Sequence, residues 1–340
     1  MKILRRLLYP LGLLYGGSTS IRNFLFDTNI LKSTQFDIPV IAIGNLNVGG
    51  TGKTPQVEYL ARLLSPYYKV AILSRGYKRS SKGFILADAN STAAMLGDEP
   101  FQYHRKFPQV SVVVDANRTE GIQNILKLRP ETDVILLDDA YQHRKVKAGL
   151  YILLTSYSDL FADDLMLPAG NLREGKSGAN RAAMVIVTKC PSDLTEDQQY
   201  KVKSKLGLAK NQQLFFSKIE YDQFVFSESK SISVEEVKSN DKTLLAGIAK
   251  PKYFFDFLKK TSDTLLEFSD HHNFTSTEID LIKNKAQDNL VITTEKDYVR
   301  LYDSAVSDNL YYLPIKSQFL KDKELFDRSI LDFVKNFSGQ

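Results

Sequence analysis

Cysteine is almost missing from this 340-residue chain. Cys190 stands alone, so no internal disulfide framework or thiolate-built metal cluster can form, and a reducing compartment is implied. Long apolar runs are missing as well. Between Arg6 and Arg22 lie fifteen uncharged residues, Pro10 and several glycines among them, fewer than the ~20 apolar residues that a bilayer span requires. The opening Met1-Lys-Ile-Leu-Arg-Arg-Leu-Leu has the basic-then-apolar order of a signal peptide. No small-residue cleavage site follows it, so it is not read as one. A strong charge of one sign is lacking too. The net +5 comes from short scattered clusters, which points away from a nucleic-acid duplex and toward an anionic small molecule or lipid headgroup. Internal repeats and low-complexity tracts are absent.

What is present is apolar content of 43%, enough for a substantial core, in a length that suits two medium domains. From residue 37 apolar runs alternate with helical patterns, the signature of βαβ units around a mostly parallel sheet. Strands are expected at 38–44, 69–74, 110–115, 133–139, 150–154 and 184–188, with helices over 54–64, 118–128 and 193–206. An aromatic, alternating stretch at 214–230 reads as an extended connector. The expected division is a terminal segment 1–36, a P-loop α/β domain 37–213, the connector 214–230 and a smaller α/β domain 231–340. The terminal segment sets Arg5, Arg6 and Arg22 beside Leu4, Leu7, Leu8, Leu11, Leu14 and Phe24. It fits a helix lying in a membrane interface, or one packed on its own protein.

Chemistry concentrates where strand 38–44 runs into Asn47-Val48-Gly49-Gly50-Thr51-Gly52-Lys53-Thr54. A phosphate cradle needs a strand, a glycine-rich turn with inward N–H groups, and a helix that begins at a lysine. Gly49, Gly50 and Gly52 permit the tight backbone, Lys53 can reach the β- and γ-phosphates, and the Thr54 hydroxyl can ligate Mg²⁺. ATP and Mg²⁺ are therefore the expected cofactors, and phosphoryl transfer the expected chemistry. Asn47 replaces the usual first glycine, a mild departure because asparagine tolerates positive φ. The acidic partner is Asp138, with Asp139 second, at the end of an apolar strand where an ionised pair is costly without a cation. Two clusters stay open on their residues alone. Asp98-Glu99-Pro100 suits a helix start as well as a reactive carboxylate. Ser269-Asp270-His271-His272-Asn273 suits a polar loop, a metal site or one catalytic histidine.

Several motifs occur together: Val48-Gly-Gly-Thr-Gly-Lys-Thr-Pro55, Ser74-Arg-Gly-Tyr77, Gly97-Asp-Glu-Pro100, Asp138-Asp139 with Gln142-His143, Pro168-Ala-Gly-Asn-Leu-Arg-Glu174, Phe268-Ser-Asp-His271 and Thr294-Glu-Lys-Asp297. In this order they resemble the tetraacyldisaccharide 4′-kinases of lipid A synthesis. The resemblance implies ATP-dependent phosphorylation of the 4′-hydroxyl of a tetraacylated glucosamine disaccharide 1-phosphate. The expected place is the cytosolic face of the bacterial inner membrane, with no obligate protein partner. It also implies that Asp98 acts with His271 to activate the sugar hydroxyl. Asp138 and Asp139 would serve Mg²⁺ and the nucleotide, and Arg173 and Glu174 would line the same cleft. Ala140 and Asn171 stand where glycine and proline are common in the family, loop changes that remove no reactive group. Four acyl chains leave a bilayer only at about 0.8 kcal/mol per CH₂, which favours a membrane-contacting role for the terminal segment. Arg75, Lys78 and Arg79 become candidates for the 1-phosphate or for headgroups. One rival is a membrane-associated P-loop ATPase switch of the partitioning or targeting type, which would carry lysine where Val48 stands. Another is a soluble small-metabolite kinase, which leaves the basic, apolar terminus without a task.

Overall fold

The structure is a computed structural model that describes residues 5, 7–270, 272–302, 304 and 309–337. Its first part runs α1 (Tyr9–Asp27), β1 (Val40–Asn45), α2 (Lys53–Leu64), β2 (Val70–Ser74), β3 (Ile85–Leu86), α3 (Ala93–Leu96), α4 (Asp98–Lys106), β4 (Ser111–Val114), α5 (Arg118–Leu128), β5 (Val134–Leu137), β6 (Leu150–Ser156), β7 (Met184–Thr188), α6 (Glu196–Leu206) and β8 (Gln213–Tyr221). The second continues with β9 (Phe224–Phe226), β10 (Ser231–Ser233), α7 (Val234–Ser239), β11 (Lys242–Ala246), α8 (Lys252–Leu258), β12 (Thr264–Glu267), α9 (Ser276–Ala286), β13 (Leu290–Thr294), α10 (Glu295–Leu301) and β14 (Leu310–Leu313). The chain closes with β15 (Ile315–Phe319) and α11 (Lys323–Lys335).

The larger sheet has the order β15-β8-β7-β6-β1-β5-β2-β4-β3 and is parallel except for its two edge strands. Every residue of β1 is buried, because a central parallel strand is covered on both faces and so needs no polar alternation. Ile41 and Ile43 pack with Leu60 and Leu64 of α2 on one side; Val40 and Ala42 pack with Ile122 and Ile125 of α5 on the other. A smaller sheet, β10-β9-β14-β13-β11-β12, carries the second domain. The expected P-loop α/β architecture with a second α/β unit is thus the observed one.

The boundaries differ from the expected division. Residues 213–221 do not form a free connector; β8 pairs with β7 and β15 inside the larger sheet. Nor does the smaller domain run to the end of the chain. Phe319, Phe326, Ile330 and Val334 are buried in the core that holds Ile41, Leu60 and Phe215, so β15 and α11 return to the first domain. Apolar periodicity marks these elements as half-buried but carries no information about which sheet they cover. The crossing between domains is short, with the Asp222 amide donating to the Pro314 carbonyl at 3.0 Å.

Helix α1 buries only Gly12 and Phe26. A Cβ on Gly12 would stand 3.2 Å from the Met166 carbonyl, so the helix lies tight against the 166–174 segment there. Its outer faces leave Leu11, Leu13, Leu14, Ile21 and Phe24 more than half exposed. Among the described residues no helix is long and apolar enough to cross a membrane.

Candidate active site

The phosphate cradle begins where β1 ends and α2 starts, at the carboxyl edge of the larger sheet. Gly52 precedes α2 with φ +82°, a left-handed conformation that a Cβ would strain. The first-turn N–H groups of α2 have no intrahelical acceptor and lie at the positive end of its dipole. One side of the loop is held by the 164–174 segment. The Val48 amide donates to Asn171 O at 2.7 Å, the Arg173 amide to Leu46 O at 2.8 Å, and Asn47 Nδ2 to Asp164 at 2.9 Å. The opposite side is held from the end of β7: Thr188 Oγ1 donates to Thr51 O at 2.7 Å and Lys189 Nζ to Gly50 O at 2.5 Å. Asn47 therefore has a reason other than backbone tolerance. Its φ is not positive; its side chain is a buried anchor to Asp164.

Lys53 Nζ lies 3.4 Å from Asn45 Oδ1 and 3.6 Å from Asp139. Arg173 Nη1 donates to both Asp139 oxygens at 3.3 Å. Burial alone would push the Asp139 carboxyl up, but Lys53 and Arg173 outweigh it and hold the group below its usual range. Asp138 has the opposite fate. Burial, with Glu99 and Asp139 nearby, pushes it up to about 6, against the pull of Lys53 and the hydroxyl of Ser74, which donates at 3.1 Å. Two adjacent carboxylates thus sit in unlike states, one neutralised by protein cations and one short of a counter-charge.

This donor set fits Mg²⁺. Thr54, Asp138 and Asp139 supply hard oxygens, and Asp138 carries a buried negative charge that the protein only partly offsets. They are not a closed cage: among the described residues no group of three or more His, Cys, Asp or Glu is arranged to hold a metal. Mg²⁺ commonly takes its remaining ligands from phosphates and water. Thr51 Oγ1 is buried without a hydrogen-bond partner, a further polar atom in the cradle left for a ligand.

The state of Asp138 has a measurable cost to the fold. Its carboxyl moves from an ordinary 3.8 to about 6 on folding, so protonation favours the folded state and stability falls as pH rises through that range. Asp138→Asn cannot ionise. It is expected to raise the unfolding free energy of the nucleotide-free, Mg²⁺-free protein above about pH 7 by roughly 2–3 kcal/mol. The gain should shrink as pH falls toward about 4, as read from urea midpoints. An unchanged or lowered midpoint at neutral pH would contradict the account.

Across the cradle, α4 meets α10 of the second domain. Gly97 has φ +91°, and a Cβ there would stand 3.0 Å from Tyr77 O, so the Ser74–Tyr77 and Gly97–Pro100 motifs pack backbone on backbone. Asp98 accepts from Arg300 Nε at 3.0 Å and also from its Nη2. Glu99 pairs with Lys296 at 2.8 Å, and Lys106 lies between Glu58 at 2.7 Å and Glu295 at 2.6 Å. Three ion pairs or clusters therefore join the domains along one helix. His271 lies outside the described residues. Its neighbour His272 is occupied locally, with Nε2 2.9 Å from Glu278 and Nδ1 3.3 Å from Ser269 Oγ, next to the cap of α9.

With the geometry in place, likeness to known proteins becomes informative. The family profile described as tetraacyldisaccharide-1-P 4′-kinase, LpxK, matches residues 4–335. The chain belongs to this family. A tetraacyldisaccharide 4′-kinase of Flavobacterium johnsoniae is 61% identical over 335 residues, covering 98% of both chains. That of Flavobacterium psychrophilum is 56% identical over 338 residues, covering 99% of this chain and 98% of its own. Among solved structures, the "apo" form of LpxK from Aquifex aeolicus in complex with ATP superposes with a TM-score of 0.78 at 30% identity. It covers 97% of this chain and 99% of that one.

Of the family motifs scattered through the sequence, Asp138-Asp139 and Pro168–Glu174 lie beside the cradle. Arg173 reaches the cleft through Asp139, but Glu174 turns away from it. Glu174 is 3% exposed and accepts from Asn23 at 2.8 Å, Gln142 at 2.9 Å and Arg181 at 2.8 Å. It ties α1 to the segment beside the cradle instead of lining the nucleotide cleft. Arg79, considered for a phosphate, is engaged in its own loop by Gly83 O at 2.5 Å. Sequence reasoning missed Lys189 and Arg300 and left Lys296 without a role. A lysine at the close of the apolar strand Met184–Thr188 was the available signal for the first.

Proposed function

We propose that this chain transfers the γ-phosphoryl group of ATP to the 4′-hydroxyl of a tetraacylated glucosamine disaccharide 1-phosphate, the step that yields the bis-phosphorylated lipid A precursor. The observation that carries this is the convergence of the cradle, the Asp138–Asp139 pair and the Asp98–Glu99 helix start, close enough for Glu99 to act on Asp138. Lys53 lies against the β- and γ-phosphates and neutralises charge that builds on the transferred group. Asp98, oriented by Arg300, takes the hydroxyl proton together with His271 as the sugar oxygen bonds to γ-phosphorus and the bond to the ADP oxygen breaks. Thr54, Asp138 and Asp139 would hold Mg²⁺, which would supply further neutralisation of the phosphates. No covalent enzyme intermediate is required, because positioning and charge compensation carry phosphoryl transfer.

The assay is incubation with γ-labelled ATP, Mg²⁺ and detergent-dispersed lipid disaccharide 1-phosphate. Label is expected in the lipid. A folded, ATP-binding preparation that hydrolyses ATP and labels no lipid would instead support the switch-type ATPase.

Helix α1 is proposed to hold the enzyme on the cytosolic leaflet of the inner membrane, where both ATP and the acylated substrate are at hand. What supports this is the exposure of Leu11 at 53%, Leu14 at 72% and Ile21 at 63% on one short helix, a patch uncommon on a monomer surface. Burying a leucine contributes about 1.5–3 kcal/mol. Leu11→Glu with Leu14→Glu is accordingly expected to weaken binding to anionic vesicles by roughly a hundredfold or more, measured by co-sedimentation, with ATP affinity unchanged. Equal sedimentation of the variant would remove α1 from the membrane contact.

A further inference from the structure

We propose that Lys189 is a second ammonium of the phosphate site, one that positions the Gly50 peptide and neutralises the polyphosphate of bound ATP beside Lys53. The inference rests on the cradle being the ATP site and adds a residue that the P-loop pattern does not contain. Strand β7 ends at Thr188, and the chain turns at Lys189 with φ +56°, a conformation disfavoured for any residue with a Cβ. Such strain persists where the surroundings require it. Here the turn delivers Nζ to 2.5 Å from Gly50 O, while Thr188 Oγ1 holds Thr51 O at 2.7 Å. Two successive carbonyls of the loop are thereby tied to β7. Their peptides are fixed from outside the glycine turn, which holds the turn in shape beside the start of α2.

Gly50 uses one of the three ammonium protons. Among the described residues no carboxylate pairs with Lys189. Its charged neighbours are cations: burial first, then Lys250, Lys296 and Lys53, push the Lys189 ammonium below its ordinary range. A purely structural tie to one carbonyl would be served by a neutral donor, without the repulsion of three other ammoniums. Lys53 and Lys296 also face Asp139 and Glu99, whereas for Lys189 it is a ligand with several negative charges that would offset the repulsion. Two of the four, Lys250 and Lys296, come from the second domain, so such a ligand would also draw the two domains onto the same charge.

The test compares wild type, Lys189→Ala and Lys189→Arg by calorimetric titration with ATP, by kinetics at varied ATP, and by thermal melting without nucleotide. Lys189→Ala is expected to weaken ATP binding and raise KM for ATP about tenfold, the scale of one charge-assisted hydrogen bond. Its kcat at saturating ATP should stay within about threefold. Its nucleotide-free melting temperature should hold or rise, because a crowded cation is gone. Lys189→Arg keeps charge and donors and is expected to recover most of the affinity. Wild-type ATP affinity in Lys189→Ala would overturn the inference, as would a lowered melting temperature with an ATP-induced shift like that of wild type. If wild type itself binds no ATP, the assignment of the cradle fails instead.

Discussion

Asp98→Ala is expected to lower kcat by about 10²–10⁴-fold, the range contributed by a positioned general base, while ATP affinity stays close to wild type. The size of the loss and its isolation from binding both follow from where the residue sits. Asp98 opens α4 in the first turn, where the helix dipole favours a carboxylate. Its side chain is 24% accessible, so truncation leaves no core cavity. Arg300, whose side chain is 8% accessible, would lose one partner but keep Asp297 at 3.2 Å, so the loss should cost about 1–3 kcal/mol and leave no carboxylate-free buried guanidinium. The fold should therefore survive. Asp98→Asn preserves shape and an acceptor for Arg300 but cannot take a proton, and is expected to fall as far as alanine does. His271→Ala should behave similarly, on the strength of the family resemblance. The decisive measurement is steady-state kinetics at saturating ATP beside direct ATP titration. A rise in Kd for ATP with kcat preserved would mean that Asp98 holds nucleotide and has no part in proton transfer.

Lys53→Ala should damage both quantities. Its ammonium lies 3.6 Å from Asp139 at the start of α2, where on the proposed reading it would meet the phosphates in the ground state and gain further interaction as charge shifts in the transition state. Removing one such preorganised donor costs about 10²–10³-fold in kcat, and ATP affinity falls with it. The empty protein also changes, because Asp139 then depends on Arg173, with Arg118 behind it, to offset its burial. Lys53→Arg is not expected to rescue: a planar guanidinium fork does not replace a compact point charge in a closed loop. Retention of more than about a tenth of wild-type activity by Lys53→Ala would contradict this role for the cradle.

Much of the nucleotide end was legible because it is contiguous in the chain. Strand, glycine turn and Lys53-Thr54 follow one another without interruption, and the apolar run before Asp138 places that carboxylate at a strand end. The Asp98–Glu99 segment was ambiguous for a physical reason: a first-turn acid has the same local signature whether it caps a helix or faces a substrate. Its contacts with Arg300 and Lys296 come from residues far along the chain. Glu174 misled because its neighbour Arg173 does reach Asp139, and adjacent residues on an extended segment point to opposite sides.

By itself, the sequence determined what local order controls: the βαβ alternation, the cradle and its helix, the paired aspartates, and an amphipathic start too short to span a bilayer. Only the tertiary structure decided which distant residues share those sites. It placed Lys189 on the Gly50 carbonyl, made Asn47 an anchor for Asp164, turned Glu174 into a tie between α1 and the 164–174 segment, and returned β15 and α11 to the first domain. The physical reason is that hydrophobic periodicity and turn chemistry act over a few residues. Strand order, burial and the pairing of buried charges depend instead on contacts between segments more than a hundred residues apart, such as that of Lys189 with Gly50.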